Sequence, residues 1–397
     1  MLAFTADAVR ALGAADVDAR LALLERAAAL PIPTPDEEVW RYSRIAELRL
    51  DQLVPAPVAT TVDAAGADAW VTSAGAAALT GVDDAVDVFH LLNHTFAVPT
   101  IVRVPAGKAA EAPIVITHRI GHGSVVLADG QRAAVFPRLV IEAGEDSQVT
   151  VVEQFLSDDG DASVCVPRVE VRAAQSARVR YLGVNLLATT TWSLGHQLAI
   201  GERDSTTMLA TVALGGDYAR VRTEARCVGQ GASTRQVALY FADGEQMHDF
   251  RTLQDHAAPK TTSDLLFKGA VQDHAKSVYT GLIKVRHDAK GTEAFQTNRN
   301  LTLSEGAWAE SVPNLDIETN DVKCSHASTV GPIDEEQRFY LESRGIPPEV
   351  AERLVVLGFF DEVLHQLPVG PLASELRDRV AAKLATRTGA ELSGVAS

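Results

Sequence analysis

Cysteine is the scarcest chemistry in this chain: Cys165, Cys227 and Cys324 lie scattered through 397 residues. An odd, widely spaced set excludes a disulfide framework and fits a reducing compartment, so a cytoplasmic protein is expected. Basic residues are also in short supply, 36 Lys and Arg against 52 Asp and Glu, for a net charge of -16. Binding to phosphate backbones needs a basic footprint, so nucleic acid is not expected as a partner. Long apolar runs are missing too. LVVLGFF, near the C-terminus, suffices for a buried helical segment and falls far short of the ~20 residues a bilayer span needs, so no membrane is expected either. At the N-terminus, Asp7, Asp16, Asp18 and Glu25 interrupt any secretory apolar core.

Several catalytic signatures are missing as well. Gly107-Lys108 is followed by Ala109, which rules out a phosphate-binding P-loop, and GHGSVVLADG lacks the glycine spacing of a dinucleotide fold. H-E-x-x-H, C-x-x-C and G-x-S-x-G do not occur. The expectation is a chain without its own catalytic machinery that binds no nucleotide. Any ATP chemistry in its process then belongs to another subunit.

What is present divides into three regions. Residues 1–95 read as a helical region with an irregular linker. Leu12, Val17, Leu21, Leu23 and Leu24 recur at helical spacing before the stop at Pro31-Ile-Pro-Thr-Pro35. Asp36-Glu-Glu is expected to open a second helix carrying Val39, Trp40 and Tyr42, and residues 51–82, rich in Ala, Pro, Gly and Asp, to form connections.

Residues 96–330 change to short alternating segments, and a repeat emerges. LVIEAGEDS, VEVRAAQS, LAIGERDS and ARCVGQGAS end at Ser147, Ser176, Ser205 and Ser233, and HAAPKTT ends at Thr262, at spacings of 29, 29, 28 and 29 residues. A period of this length built only from strands and turns is a solenoid signature, because stacked equivalent strands bury their inward rows together. A parallel β-helix core over 96–330 is the expectation. Residues 331–397 turn helical again, with Asp334, Gly345 and Pro347-Pro348 as boundary signals and Leu376, Val380 and Leu384 as one apolar stripe. Terminal helices would also serve to cap the solenoid, whose last coil otherwise exposes a strand edge.

The most suggestive chemistry is Asp321-Val-Lys-Cys-Ser-His-Ala-Ser-Thr-Val-Gly331. In an extended strand Cys324 and His326 project to the same side, and thiolate sulfur and imidazole nitrogen are both natural iron ligands. The competing reading makes Cys324 a small packed residue beside Val322. One such pair also leaves a metal cluster short of ligands, so a partner chain would have to complete it. Cys165 and Cys227 read as packing residues. His248, His256, His274 and His287 crowd together in sequence; stacked coils could gather them into a metal site, or they could be solvated turn residues paired with neighbouring aspartates. Phe339, Tyr340, Leu354, Phe359 and Phe360 read as helical core, with a partner-binding patch as the alternative.

A run of longer motifs carries a resemblance: Lys276-Ser-Val-Tyr-Thr-Gly281, Gln296-Thr-Asn-Arg-Asn-Leu301, Pro313-Asn-Leu-Asp-Ile-Glu318, Asp321-Val-Lys-Cys-Ser-His326 and Phe339-Tyr-Leu-Glu-Ser-Arg-Gly345. With Glu38-Val-Trp-Arg-Tyr-Ser43 further upstream, these resemble the SufB/SufD family of iron–sulfur cluster assembly proteins, and Val-Lys-Cys-Ser-His-Ala-Ser-Thr-Val-Gly is the form of the SufD branch. The resemblance implies a right-handed parallel β-helix with helical flanks. It also implies a scaffold that pairs through a β-helix edge with a SufB-like paralogue and docks a SufC-like ABC ATPase on its C-terminal helices. The cargo would be a transient iron–sulfur cluster shared with the partner, and an isolated chain could form a homodimer. His326 matches the family's interfacial position and Cys324 its neighbour. The alternatives are a SufB-like subunit that accepts persulfide sulfur and a β-helix carbohydrate-active enzyme, which would normally be secreted.

Overall fold

A strand that alternates inward and outward side chains can bury only one row, so a second strand must close over it. In the computed structural model, which describes residues 4–14, 16–73, 85–121, 123, 125–158, 160 and 162–394 with side chains up to 385, this closure is made by a parallel β-solenoid of about seven coils. One wall stacks Arg138–Ala143, Arg168–Ala173, Trp192–Gly201, Tyr218–Cys227, Met247–His256, Lys276–Val285 and Trp308–Ile317. The other stacks Ile114–Ile120, Gln148–Ser157, Arg178–Leu186, Thr206–Ala213, Ser233–Ala242, Thr262–Val271, Thr292–Thr302 and Val322–Gly331. Gln148, Arg178, Thr206, Ser233, Thr262 and Glu293 form one column in register, so a coil takes 27 to 31 residues.

The turns explain the repeat seen in the sequence and correct its phase. Asp146, Ser176, Asp204, Gly231, Lys260 and Gly291 occupy the left-handed region with φ between 52° and 75°. Four of the six are not glycine, so those four turns carry strain. It is offset by a ladder between turns. The N–H groups of Asp146, Ser176, Asp204, Gly231, Lys260 and Gly291 donate to the carbonyls of Gln175, Arg203, Gln230, Pro259, Lys290 and Asp321 on the following coil. The residue after the left-handed position is buried, and at Ser147 and Ser205 its hydroxyl donates back to the Gly144 and Glu202 carbonyls at 2.7 Å. Ser176, Ser233 and Thr262 are each displaced by one residue from that position, where Ala177, Ala232 and Thr261 stand instead.

Two helical groups cover the outside. α1 (Ala6–Ala11), α2 (Val17–Ala29) and α3 (Val88–Phe96) pack with Trp40 against the outer side of the first wall, over Phe136, Val166, Trp192 and Leu194. The stretch from Asp36 does not form the expected helix. It makes a single 3-10 turn at Glu38–Trp40, because its carbonyls are drawn to the solenoid: Val39 and Arg41 accept from Arg220 and Arg251. Within 51–73, short strands at Ala59–Asp63 and Val71–Ser73 join the two walls antiparallel at the N-terminal end; 74–82 lies outside the described residues.

At the other terminus α4 (Glu335–Ser343), capped by the Asp334 carboxylate, leads to α5 (Pro348–Leu364) and α6 (Gly370–Gly394). α5 buries Ala351, Val356, Leu357, Phe360 and Val363 and leaves Leu354 exposed. α5 and α6 lie on the outer side of the second wall, over Leu182, Val212, Leu239 and Phe241. Lys268 fastens α5 through the Phe359 carbonyl at 2.9 Å and Glu362 at 2.5 Å, and Lys383 fastens α6 to Asp243 at 2.6 Å. The helices therefore cover a flank and do not cap the end. The final coil is left open.

Candidate functional site in the last coil

Trp308–Ile317 and Val322–Gly331 end their respective walls, and no further strand pairs on their outer edges among the described residues. Each edge presents unmet backbone donors and acceptors. The alternation of these strands continues the inward rows of the solenoid. Ala309, Ser311, Pro313, Leu315 and Ile317 are in register with inward-facing Ser277, Tyr279, Gly281, Ile283 and Val285. Val322, Cys324, His326, Ser328 and Val330 are in register with Thr292, Ala294, Gln296, Asn298 and Asn300. One coil deeper these positions are buried. Here Leu315, Ile317 and Val330 are 39–41% exposed, which is the condition of core residues with no coil above them.

Within this mouth Cys324 and His326 share one side of their strand, about 6.6 Å apart along the chain. Cys324 is half-buried and packs with Val322 against Ile283, Val285, Ala289 and Ala294; burial pushes its thiol up, opposed by a hydrogen bond with the Ala294 backbone. His326 is exposed. Beside it Ser328 donates to Ser311 at 2.7 Å, and Ser311 to the side-chain amide oxygen of Asn298 at 2.7 Å. Asn298 in turn donates to the Tyr240 hydroxyl at 2.9 Å. A polar chain thus runs from the mouth into the core between apolar rims. Ser311, Ser328 and Gln296 were not singled out in the sequence; the period-two alternation through Cys324 and His326 was the signal that could have found them.

The structure keeps the other candidates apart. Among the described residues no group of three His, Cys, Asp or Glu side chains could hold a metal ion, so the mouth offers at most two ligands from this chain. His248 and His256 are fully buried, not solvated, and their partners are the Gly215 carbonyl and the Thr261 and Ser263 hydroxyls; His274 and His287 are exposed elsewhere. Cys165 and Cys227 are buried. Burial, with Glu153 nearby, drives the Cys165 thiol far up, and burial with Asp255 pushes Cys227 up to about 12. The thiolate is the reactive species, so alkylation of the native chain near pH 8 is expected to modify Cys324 alone. Peptide mass mapping checks this, and a native Cys324→Ser chain that still takes up label would contradict it.

Phe360 is helical core as expected, whereas Phe339, Tyr340 and Leu354 are 70%, 58% and 44% exposed. Tyr340 and Leu354, with Leu341, Gly358 and Phe359, line a groove of ≈ 880 Å³ between α4 and α5. No helix among the described residues is long and apolar enough to cross a membrane.

Comparison with known proteins agrees with this architecture. Residues 126–359 match the family described as SUF system FeS cluster assembly, SufBD core domain. An iron-sulfur cluster assembly SufBD family protein of Mycobacterium tuberculosis is 38% identical over 271 residues, 66% of this chain and 66% of the relative. The iron-sulfur cluster assembly protein SufD of Escherichia coli is 28% identical over 307 residues, 77% of this chain and 72% of that protein. The SufD protein of Bacillus subtilis is 30% identical over 275 residues, 69% of this chain and 61% of that protein. The chain thus spans about two thirds of the length of the curated relatives it matches. With more than half of its residues inside the family match and a parallel solenoid as their fold, the chain belongs to the SufBD core family of the SUF iron–sulfur cluster assembly system.

Proposed function

We propose that this chain is the SufD-type scaffold subunit of a cytoplasmic SUF assembly. It pairs through its open end with a SufB-like paralogue, docks a SufC-like ABC ATPase on α4 and α5, and holds a nascent iron–sulfur cluster as shared cargo. The observation that carries the reading is the uncovered last coil. Its inward row is exposed, its two edges are unpaired, and Cys324 and His326 stand side by side in the opening. The complement that fits such a surface is another β-coil, which would pair the edges and bury Leu315, Ile317 and Val330. A partner of that kind also places its own side chains opposite Cys324 and His326, completing a ligand set that two residues cannot fill. The groove at Tyr340, Leu354 and Phe359 supports the ATPase role: it is mostly apolar with Asp334, Glu336 and Gln337 at its side, open, and anchored through Lys268 to the solenoid wall, so movement of a docked subunit would reach the coils.

The scaffold acts by position. It performs no bond-making of its own and supplies a thiol and an imidazole at a seam that closes and opens with the ATPase. Co-expression with SufB-type and SufC-type proteins, then anaerobic reconstitution followed by visible spectroscopy, tests this. His326→Ala is expected to leave the complex assembled and to lower cluster yield by about tenfold or more, the scale of losing a group that organises a metal. Unchanged yield in the intact complex would remove His326 from the site.

A further inference from the structure

We propose that Tyr42 and Trp308 form an anchor of the partner interface, an aromatic seat on the outer face of the first wall for the strand that adds beyond Trp308–Ile317. Which protein supplies that strand rests on the reading of the last coil given above.

The seat begins with an unusual turn. The N–H of Ser43 donates to the Trp40 carbonyl at 3.0 Å and closes a β-turn over Trp40–Ser43. Arg41 has φ -55° and ψ 138°, and Tyr42 has φ 65°, the geometry of a type II turn. Its third position favours glycine or asparagine, because most side chains crowd the backbone there. Here that position holds a tyrosine. Burial does not account for the choice, since Tyr42 is 42% exposed. The turn is held from behind instead: Arg220 and Arg251 bind the Val39 and Arg41 carbonyls, and Trp40 is buried. The Tyr42 ring meets the Trp308 ring edge-on, 5.9 Å between centres, and the Arg41 guanidinium lies 5.1 Å from the Tyr42 ring centre.

Trp308 is 36% exposed and opens the last strand of its wall, whose outer edge is unpaired among the described residues. It is in register with Lys276 and, one coil deeper, with Met247, which packs against the N-terminal helical group. This column therefore faces outward. A strand paired to Trp308–Ile317 would place its own outward side chain about 4.8 Å from Trp308, beside the ring that Tyr42 already touches. Tyrosine, tryptophan and arginine are the residues in which binding energy concentrates. A ring fixed beforehand by a rigid turn also loses little freedom when a partner covers it. The partner that fits is a β-coil with an apolar or aromatic residue at the start of its outward row.

Affinity of the full chain for a SufB-type protein, measured beside urea unfolding of the same variants, tests this. Tyr42→Gly relieves the turn, which offsets the lost ring contact and the freer unfolded chain, so its unfolding midpoint should stay near that of the wild type. Its affinity should fall at least about tenfold, and Tyr42→Phe, which keeps the ring, should retain the wild-type value. Wild-type affinity in folded Tyr42→Gly overturns the proposal. Should that variant not fold, Trp308→Leu takes its place, and wild-type affinity there overturns it. Leu315→Asp, inside the mouth, separates the anchor from the reading it rests on. If Leu315→Asp weakens binding and Tyr42→Gly does not, pairing through the open end stands and the anchor fails. If Tyr42→Gly weakens binding and Leu315→Asp does not, docking at Tyr42 stands and pairing through the open end fails. A wild-type chain that does not bind the SufB-type protein overturns both.

Discussion

Acidification from pH 7 to pH 5 is expected to remove several kcal/mol of stability from this protein, well before its carboxylates are titrated. The cause is a set of histidines buried without charge. His94, a buried residue of α3, accepts from Arg138 at 2.6 Å; burial, and then Arg138 and Arg168, push it down to about 2. Burial, with Lys383 behind it, pushes His248 down to about 3, and burial pushes His256 down to about 4 against the pull of Asp255. His90 and His196, in contact with each other and with Arg168 where α3 meets the first wall, are lowered for the same first reason. In each case the folded value lies below the unfolded one near 6.5, so the unfolded chain binds the extra proton first. Stability is full above about pH 6.5 and falls as pH drops from there, by about 1.4 kcal/mol per unit for each such group, until the folded ring itself protonates. Urea unfolding across pH 7.5 to 4.5 measures the slope. His248→Gln and His256→Gln should each flatten it by about one proton's worth, and a flat profile in the wild type would show that these rings are not buried neutral.

Asp249→Ala should be among the most damaging single substitutions, at about 3–5 kcal/mol, the usual cost of stripping the counter-charge from a buried ion cluster. Asp249 is fully buried on Met247–His256. One carboxylate oxygen accepts from the Tyr218 hydroxyl at 2.9 Å and from Arg220 at 2.5 Å, and the other accepts from Arg251 at 2.7 Å. Burial alone would drive the carboxyl up, but Arg220 and Arg251 outweigh it and hold it below the usual carboxylate range. The same two guanidinium groups reach outward to the Val39 and Arg41 carbonyls, and Arg220 lies 4.0 Å from the centre of the Trp40 ring. Beside them Tyr42 has φ 65°, a region that a bulky side chain adopts only when its surroundings impose it. Loss of Asp249 therefore leaves two cations unpaired in the wall and loosens the strap 39–42. The variant should show a lower unfolding midpoint and faster tryptic cleavage at Arg41 and Arg44. Asp63→Ala, on an exposed strand, is the control and should change stability by no more than about 0.5 kcal/mol.

The solenoid was legible in the chain because its repeat is local. A strand, a polar turn and a second strand within about 29 residues carry their own period, and equivalent positions must stack wherever the chain goes. The boundaries of α4 were legible for a similar reason, since the Asp334 cap and Gly345 stop act within a few residues. The pairing of Cys324 with His326 on one side of a strand also follows from alternation alone. The phase of the turns was off by one residue at Ser176, Ser233 and Thr262, because alanine or threonine can fill the buried turn position as well as serine can. The helix expected from Asp36 failed because Arg220 and Arg251, 181 and 210 residues from the carbonyls they bind, claim them.

The sequence by itself determined the repeating architecture, the helical ends and which side chains share a row. Only the tertiary structure decided that His248 and His256 are buried, that α5 and α6 lie along a flank, and that no strand among the described residues stacks on the coil bearing Cys324 and His326. A row is a property of neighbouring residues, whereas burial depends on which distant segment is stacked next, and no local pattern marks the coil at which the stacking stops.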